Sequence, residues 1–380
     1  MIARSGPSTP STTLADNRRL VLNVLRSSGD LTRAEIGEAS GLSPAATARI
    51  TNSLEAERLI ARAGQVPSAG GRPAWRYRFT AEGRFLAGVR VQRDGCRGAL
   101  LGWDETIVSR HQVLLDPDTA KGDELLDAAK ACVRQLVTDA SGRGRPPVAL
   151  GVAVPAVADS DGHARAGTEV RWRDVPVRDV LADVAGVPVL VENDANALAY
   201  SELTPVEHTA SLAALILGYG LGAGIISEGR LLRGTHSSAG EIGYLLTSRD
   251  VLRAGSTEIG DLERRIQRAS RARPELAASA PVQLWTLMGR TSAEAVQATG
   301  EMLDYLAMAI ASLVVVLDPE RVVIGDVPPE QADHLIAELQ TRLRGLLLHD
   351  PAIAVARRGT DAVLLGAALL AGELVDLQAI

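Results

Sequence analysis

Cysteine is almost absent. The two present, Cys96 and Cys132, fall on different predicted elements and belong to no ligand cluster, so no thiolate zinc site is expected. Aromatic residues make up only 3% of the chain, against 46% hydrophobic residues overall, which describes an aliphatic core. Lysine is nearly missing too: Lys121 and Lys130 are the only two among 40 basic residues, a bias read as compositional and without mechanistic meaning. No run of about 18 apolar residues is seen, so no membrane span is expected. Residues 1–13 are rich in Ser, Thr and Pro and lack the apolar centre of a signal peptide. They read as a disordered lead-in to a cytoplasmic protein.

What is present is enough chain, 380 residues, for two or three domains. The net charge of −6 is unevenly spread. Residues 1–80 hold 11 arginines against six acidic residues, and the remainder carries a net charge of −11. A basic head on an acidic body is the expected outline of a nucleic-acid-binding module joined to a larger domain.

The first eighty residues support that outline. Leu20, Val21, Val24 and Leu25 recur at helical spacing within Asn17–Arg26. Thr32 and Glu35 form a capping box, opening a second helix with Ile36 and Ala39 inward and Gly41 as its stop. Ser43 caps a third helix whose first position is Pro44. Helix, short glycine-containing turn and helix make a helix-turn-helix. Ser43, Ala45 and Ala46 are small enough to let the third helix approach base edges. Arg49 is suited to guanine or phosphate, and Asn52 either to adenine or to a neighbouring helix. Two strand-like runs flank Ser68-Ala69-Gly70-Gly71-Arg72-Pro73, forming a hairpin wing whose Arg72 suits a minor groove. The competing reading is a helical hairpin for protein contacts with solvated arginines.

Beyond residue 82 strand and helix patterns alternate, an α/β arrangement. Buried strands are expected at Val148–Val154, Val187–Val191, Leu212–Leu217 and Arg321–Gly325, a long apolar helix at about Ala293–Leu317 and a closing helix at Asp361–Val375. The ordered motifs are Glu192-Asn193-Asp194-Ala195-Asn196, Gly220-Leu221-Gly222-Ala223-Gly224, Gly240-Glu241-Ile242-Gly243, Leu317-Asp318-Pro319-Glu320 and Leu365-Gly366-Ala367-Ala368. In this order they resemble the ROK family of repressors, open reading frames and sugar kinases, over residues 83 to 375. That resemblance implies a two-lobed actin-like ATPase fold with a cleft between the lobes. The expected organisation is a lead-in at 1–13, a winged helix-turn-helix domain at 14–82 and a ROK domain at 83–380.

The resemblance implies that Asn193 and Asp194 hold sugar hydroxyls, Asp194 being the general base in kinases of the family. It makes Glu241 a second sugar-gripping carboxylate and Glu263 a third, with Glu169 a rim contact. Asn193 and Asp194 can also simply cap the helix that follows. The chain departs from the family where Tyr244 replaces a histidine and where the cysteine-rich zinc segment is missing; His236 reads as a loop residue. No metal or cofactor is expected. The nucleotide loops depart further. Arg90, Gln92 and Arg93 occupy the positions of an Asp and two glycines in the first phosphate loop, and the third reads Gly325-Asp326-Val327-Pro328-Pro329. Arg90 and Arg93 are read as surface or lobe-packing residues, with a sugar-phosphate contact as the alternative.

The expected function is a transcriptional repressor without enzymatic activity. It binds a double-stranded DNA operator as a homodimer or homotetramer and is controlled by a sugar, amino sugar or sugar phosphate, with lobe closure altering the spacing of the DNA heads. No membrane partner is expected. The alternatives are an active sugar kinase with a DNA-binding head and a body that serves only assembly.

Overall fold

The computed structural model describes residues 14–66, 73–80, 83–167, 169–203, 210–218, 220–254, 260–271 and 284–375. The lead-in at 1–13 and Arg72 of the wing lie outside the described residues. The chain divides into two compact units. One holds the residues through Arg84 with Gly102–Asp104, and the other holds Phe85–Leu101 and Glu105–Leu374.

The first unit runs α1 (Leu14–Ser28), β1 (Leu31–Thr32), α2 (Arg33–Ser40), α3 (Pro44–Ala56), β2 (Ile60–Val66) and β3 (Ala74–Phe79). Local chemistry sets these bounds. Thr32 Oγ1 accepts the Glu35 N–H and the Glu35 carboxylate accepts the Thr32 N–H, so the capping box is formed. Gly41 ends α2 at φ +68°, in the left-handed region. Ser43 caps α3 by accepting the Ala46 N–H, with Pro44 in the first turn. The strands pair antiparallel in the order β1-β3-β2, so the wing hairpin rests on a short strand that periodicity did not suggest. Val21, Leu22, Leu25, Ile36, Ile50, Leu54, Leu59, Ile60, Tyr77 and Phe79 form the core. Two inward assignments are corrected: Leu20 is 39% exposed, Leu22 taking its place, and Ala39 faces solvent. Phe79 meets Trp103 edge to face at 5.2 Å, which brings Gly102–Asp104 into this unit.

The second unit contains two five-stranded sheets built alike. The first half is β4 (Phe85–Gln92), β5 (Gly95–Gly102), β6 (Ile107–Leu114), α4 (Gly122–Gly142), β7 (Ala149–Val154), a small antiparallel sheet of β8 (Val157–Ala158), β9 (Ala164–Gly167) and β10 (Trp172–Val175), then α5 (Val177–Ala185), β11 (Val189–Asn193) and α6 (Asp194–Ser201). The second half is β12 (Leu212–Leu217), β13 (Leu221–Ser227), β14 (Arg230–Leu231), α7 (Val251–Ala254), α8 (Asp261–Arg271), α9 (Leu284–Met288), α10 (Ala293–Leu317), β15 (Arg321–Ile324), α11 (Ala332–Leu343), β16 (Ile353–Val355) and α12 (Ala362–Gly372). The sheet orders β11-β7-β4-β5-β6 and β16-β15-β12-β13-β14 match strand for strand. In each, an antiparallel start is followed by two parallel strands reached through helices.

The last helix of each half crosses to the other half's sheet. α6 lies on β12 and β13, α12 lies on β4 and β7, and the two helices pack on each other. Glycine makes the approach possible. A methyl on Gly224 would stand 2.0 Å from the Ala195 carbonyl oxygen, and one on Gly151 would stand 1.8 Å from that of Ala367.

The cores are aliphatic, and each fully buried Leu or Ile contributes about 2 kcal/mol. α10 is, among the described residues, the one helix long and apolar enough by length and composition to cross a membrane. Its inward residues, Met302, Leu303, Leu306 and Ile310 among them, are buried in the core of the second half, which accounts for that composition.

Candidate ligand cleft and DNA-reading face

A cleft of 1860 Å³ opens in the second unit, lined from both sheets. At its floor β11 ends at Asn193 and α6 starts at Asp194. Asn193 Oδ1 accepts the Ala195 and Asn196 N–H groups, and its Nδ2 donates to the Ala156 carbonyl at 3.2 Å. The capping role is therefore real, and both faces of the Asn193 amide have protein partners. Asp194 Oδ1 accepts the Ala195 N–H at 2.9 Å. Burial pushes its carboxyl up to about 6, against the pull of the Arg90 guanidinium. Glu192 is buried and structural: it accepts from Asn196 Nδ2 at 2.9 Å and from Arg233 Nε at 2.7 Å, and so fixes the turn that presents Asp194.

Glu241, Glu263 and Glu169 line the same cleft. Burial and the nearby Asp194 charge raise Glu241 to about 6. Burial and Glu241 raise Glu263 to about 7. Burial and Asp194 raise Glu169 to about 8. Tyr244 also lines the cleft, 53% exposed, with its hydroxyl pKa raised by partial burial and by Glu241. The structure thus brings Asn193, Asp194, Glu241, Tyr244 and Glu263 to one cavity. Glu169, read as a rim contact, is half-buried in the cleft lining, within the electrostatic reach of Asp194 and Arg90.

Asp261 holds the segment that delivers Glu263. Its buried carboxylate accepts the Thr247 N–H at 2.9 Å, the Thr247 hydroxyl at 2.6 Å and the Arg264 guanidinium at 2.7 Å. Burial pushes this carboxyl up, but those bonds outweigh it and hold it well below the usual range. Gly260 lets α8 nest there, since a methyl on it would sit 2.2 Å from the Gly243 carbonyl oxygen. The sequence assigned Asp261 no role. A buried donor set of this kind cannot be read from spacing, because Thr247 is fourteen residues away. Asp261→Ala is expected to orphan those donors and cost about 2 kcal/mol. Chemical denaturation and limited proteolysis would show this as a lower midpoint, with new cleavage confined to about residues 246–262.

Opposite Asp194, β4 and the turn after β15 are tied together. Arg90, 6% exposed, makes a two-pronged pair with Asp326, its Nη1 2.7 Å from Oδ1. Asp326 takes φ +58°, a left-handed value that Asp tolerates. Arg93 donates to the Pro117 carbonyl at 2.6 Å, and Arg97 pairs with Asp94 at 2.7 Å. Arg90 and Arg93 thus have packing roles. The partner residue Asp326 was quoted in the sequence motif but given no role there.

In the first unit Ser43, Ala45, Arg49 and Asn52 are exposed and Ala46 half-buried along the start and outer side of α3. Neighbouring arginines are committed: Arg18 to Glu57, Arg62 to Glu55, Arg78 to Asp30 and Arg33 to Thr51 and Asn52. Among the described side chains of this unit, the Arg49 guanidinium has neither a carboxylate nor an aromatic partner. Asn52 is partly engaged, its Oδ1 accepting from Arg33, so a two-bond contact to adenine requires Arg33 to let go.

Known proteins fall in line with this geometry. Residues 14–61 match the winged helix-turn-helix DNA-binding family, and residues 86–373 match the ROK family. The chain is 27% identical over 234 residues to the xylose repressor of Bacillus subtilis, covering 60% of each chain. It spans about 60% of the length of the curated xylose repressors of Bacillus that it matches. A ROK family transcriptional regulator described as a homologue of the E. coli MLC protein superposes with a TM-score of 0.73 at 21% identity, over 95% of this chain and 96% of that one. A ROK family glucokinase from Streptomyces griseus, in complex with glucose and AMPPNP, superposes with a TM-score of 0.62 at 23% identity, over 76% and 99%. With its second unit matched almost from end to end, the chain belongs to the ROK family.

Proposed function

We propose that this chain is a sugar-responsive, DNA-binding repressor that does not phosphorylate its ligand. The observation that carries this is the Arg90–Asp326 pair in a chain that also bears a winged helix-turn-helix. By the family resemblance Arg90 stands in the first phosphate loop and Asp326 in the third. A nucleotide phosphate needs glycine backbone and a cation at such loops. Here the guanidinium is neutralised by Asp326, and the side chains fill the approach. The residues present therefore do not fit ATP. The relation to a xylose repressor and to a ROK regulator supports the same reading.

The proposed ligand contacts are Asp194, Glu241 and Glu263, with Asn193 shaping the floor and Tyr244 at the mouth. Carboxylates grip neutral hydroxyls through short charge-assisted bonds. The proposed DNA contacts are Ser43, Ala45, Ala46, Arg49 and Asn52, together with Arg72 on the grounds of sequence. The repressor is proposed to act in the cytoplasm, on a double-stranded operator, as a homodimer or homotetramer. At the end of α10, Val315 and Val316 are 73% and 79% exposed. That apolar face supports self-association.

Operator DNA recovered from the protein's own genome, titrated by fluorescence anisotropy, tests the reading: affinity falls when the cognate sugar is added. Arg49→Ala is expected to weaken operator binding by about tenfold to a hundredfold, since a base-edge contact is worth about 1–3 kcal/mol. Sugar binding, followed by calorimetry, stays unchanged in that variant. ATP-dependent turnover of a sugar would favour the kinase alternative, which the Gly220-Leu221-Gly222-Ala223-Gly224 motif and the related kinases support.

A further inference from the structure

Resting on the DNA-binding reading above, we infer that Arg33 is a positioning residue for base recognition: by standing at the amide oxygen of Asn52, it directs that side chain to guanine and away from adenine. Ala45, Arg49 and Asn52 are all exposed and follow one another at spacings of four and three residues, so they share one stripe of α3. This is the stripe proposed to meet base edges. Arg33, the first residue of α2, reaches it from the side. Its Nη2 donates to Asn52 Oδ1, and its Nε donates to Thr51 Oγ1 at 2.9 Å. The Thr51 hydroxyl proton goes to the Thr47 carbonyl at 2.8 Å, which leaves its lone pairs for Arg33. The guanidinium carbon stands 5.1 Å from the ring centre of Tyr77, itself only 2% exposed. Two of the three anchors of Arg33 are therefore independent of Asn52.

A guanidinium only donates, so the amide oxygen of Asn52 faces Arg33 and the NH2 group is turned the other way. Among the described residues that NH2 group has no acceptor. Asparagine recognises adenine with both halves of its amide: the oxygen takes the N6 proton and the nitrogen gives one to N7. Here the oxygen already holds a donor, and that donor is cationic. Arg33 has no carboxylate partner among the described residues, so its charge is not cancelled there. Adenine would bring its N6–H donor up to this positive group. Guanine brings its O6 acceptor to the same place, and its N7 accepts as well. The cation also draws electron density through the amide, which makes the NH2 group a stronger donor. Both effects favour guanine.

The test uses operator DNA recovered from the protein's own genome. Each base pair of the site is substituted in turn, and affinity for the full chain is read by fluorescence anisotropy at one salt concentration. At one base pair guanine is expected to bind about tenfold better than adenine, a preference that Asn52→Ala erases. Arg33→Met keeps the stem over Tyr77 and removes both donors. It is expected to cut the guanine-over-adenine ratio at that base pair by about tenfold, and to leave the ratio unmoved in an Asn52→Ala background. Arg33→Gln, which loses the charge but keeps a donor for Thr51, shifts the ratio the same way and serves if the methionine variant unfolds. An Arg33 that only braces the fold, or only contacts phosphate, would instead weaken every sequence alike, and that result overturns the inference. So does a preference for adenine at the Asn52-dependent base pair, or the absence of any such base pair, while operator binding persists. A protein that retains no DNA from its genome overturns the DNA-binding reading, and this inference with it.

Discussion

Arg90→Ala is expected to destabilise the protein by about 3–5 kcal/mol, the cost of stranding one partner of a buried ion pair. Arg90 and Asp326 come from different sheets, β4 and the turn after β15, and both are largely shielded from water. Asp326→Ala is the harsher of the two for Arg90, whose Nε already lacks an acceptor. Replacing both, as Arg90→Met with Asp326→Leu, is expected to recover most of the loss, since neither charge is then orphaned. Urea denaturation of the four proteins forms a double-mutant cycle with a coupling of about 2 kcal/mol or more. Additive losses would mean that the pair is incidental. Removing Arg90 also takes away the cation that draws the Asp194 proton off, so Asp194 is expected to titrate higher in that variant.

Asp194→Ala is expected to abolish the response at sugar concentrations that just saturate the unaltered protein, while operator affinity stays intact. Loss of a charge-assisted bond is worth about 1.5–3 kcal/mol, so sugar affinity falls by roughly tenfold to a hundredfold. The fold tolerates the change because Asn193 Oδ1 still accepts the Ala195 and Asn196 N–H groups at the start of α6. Burial of the Asp194 carboxyl disfavours its charged form, so the variant keeps its thermal midpoint or gains slightly. Anisotropy with and without sugar distinguishes the outcomes, and a variant that still releases operator on sugar addition would falsify the cleft assignment.

Much of the fold was legible because its signals are local. The Thr32–Glu35 capping box, the Ser43-Pro44 start and the Gly41 stop each act within four residues, and each forms as expected. The helix expected at about Ala293–Leu317 is α10, since its apolar pattern is long and capped by Ser292. Phase was harder to read. In α1 the apolar residues run together, so a shift of one position moved Leu20 out and Leu22 in. Motif order pointed to the carboxylates that line the cleft, giving their chain positions but not their neighbours. Arg90 was noticed as a departure, yet its partner lies 236 residues away and no periodicity links the two. Asp261 escaped for the same reason: its role depends on Thr247 and on the nesting of Gly260.

The exchange of α6 and α12 between the two sheets carries a further consequence. Each sheet of the body borrows a covering helix from the other half, so the two halves cannot be pulled apart as independent modules. Severed at the connection between them, neither fragment would keep its apolar sheet face covered, and the body must therefore melt as one piece. The two halves form an interlocked whole, in which a disturbance at one helix is felt by both sheets.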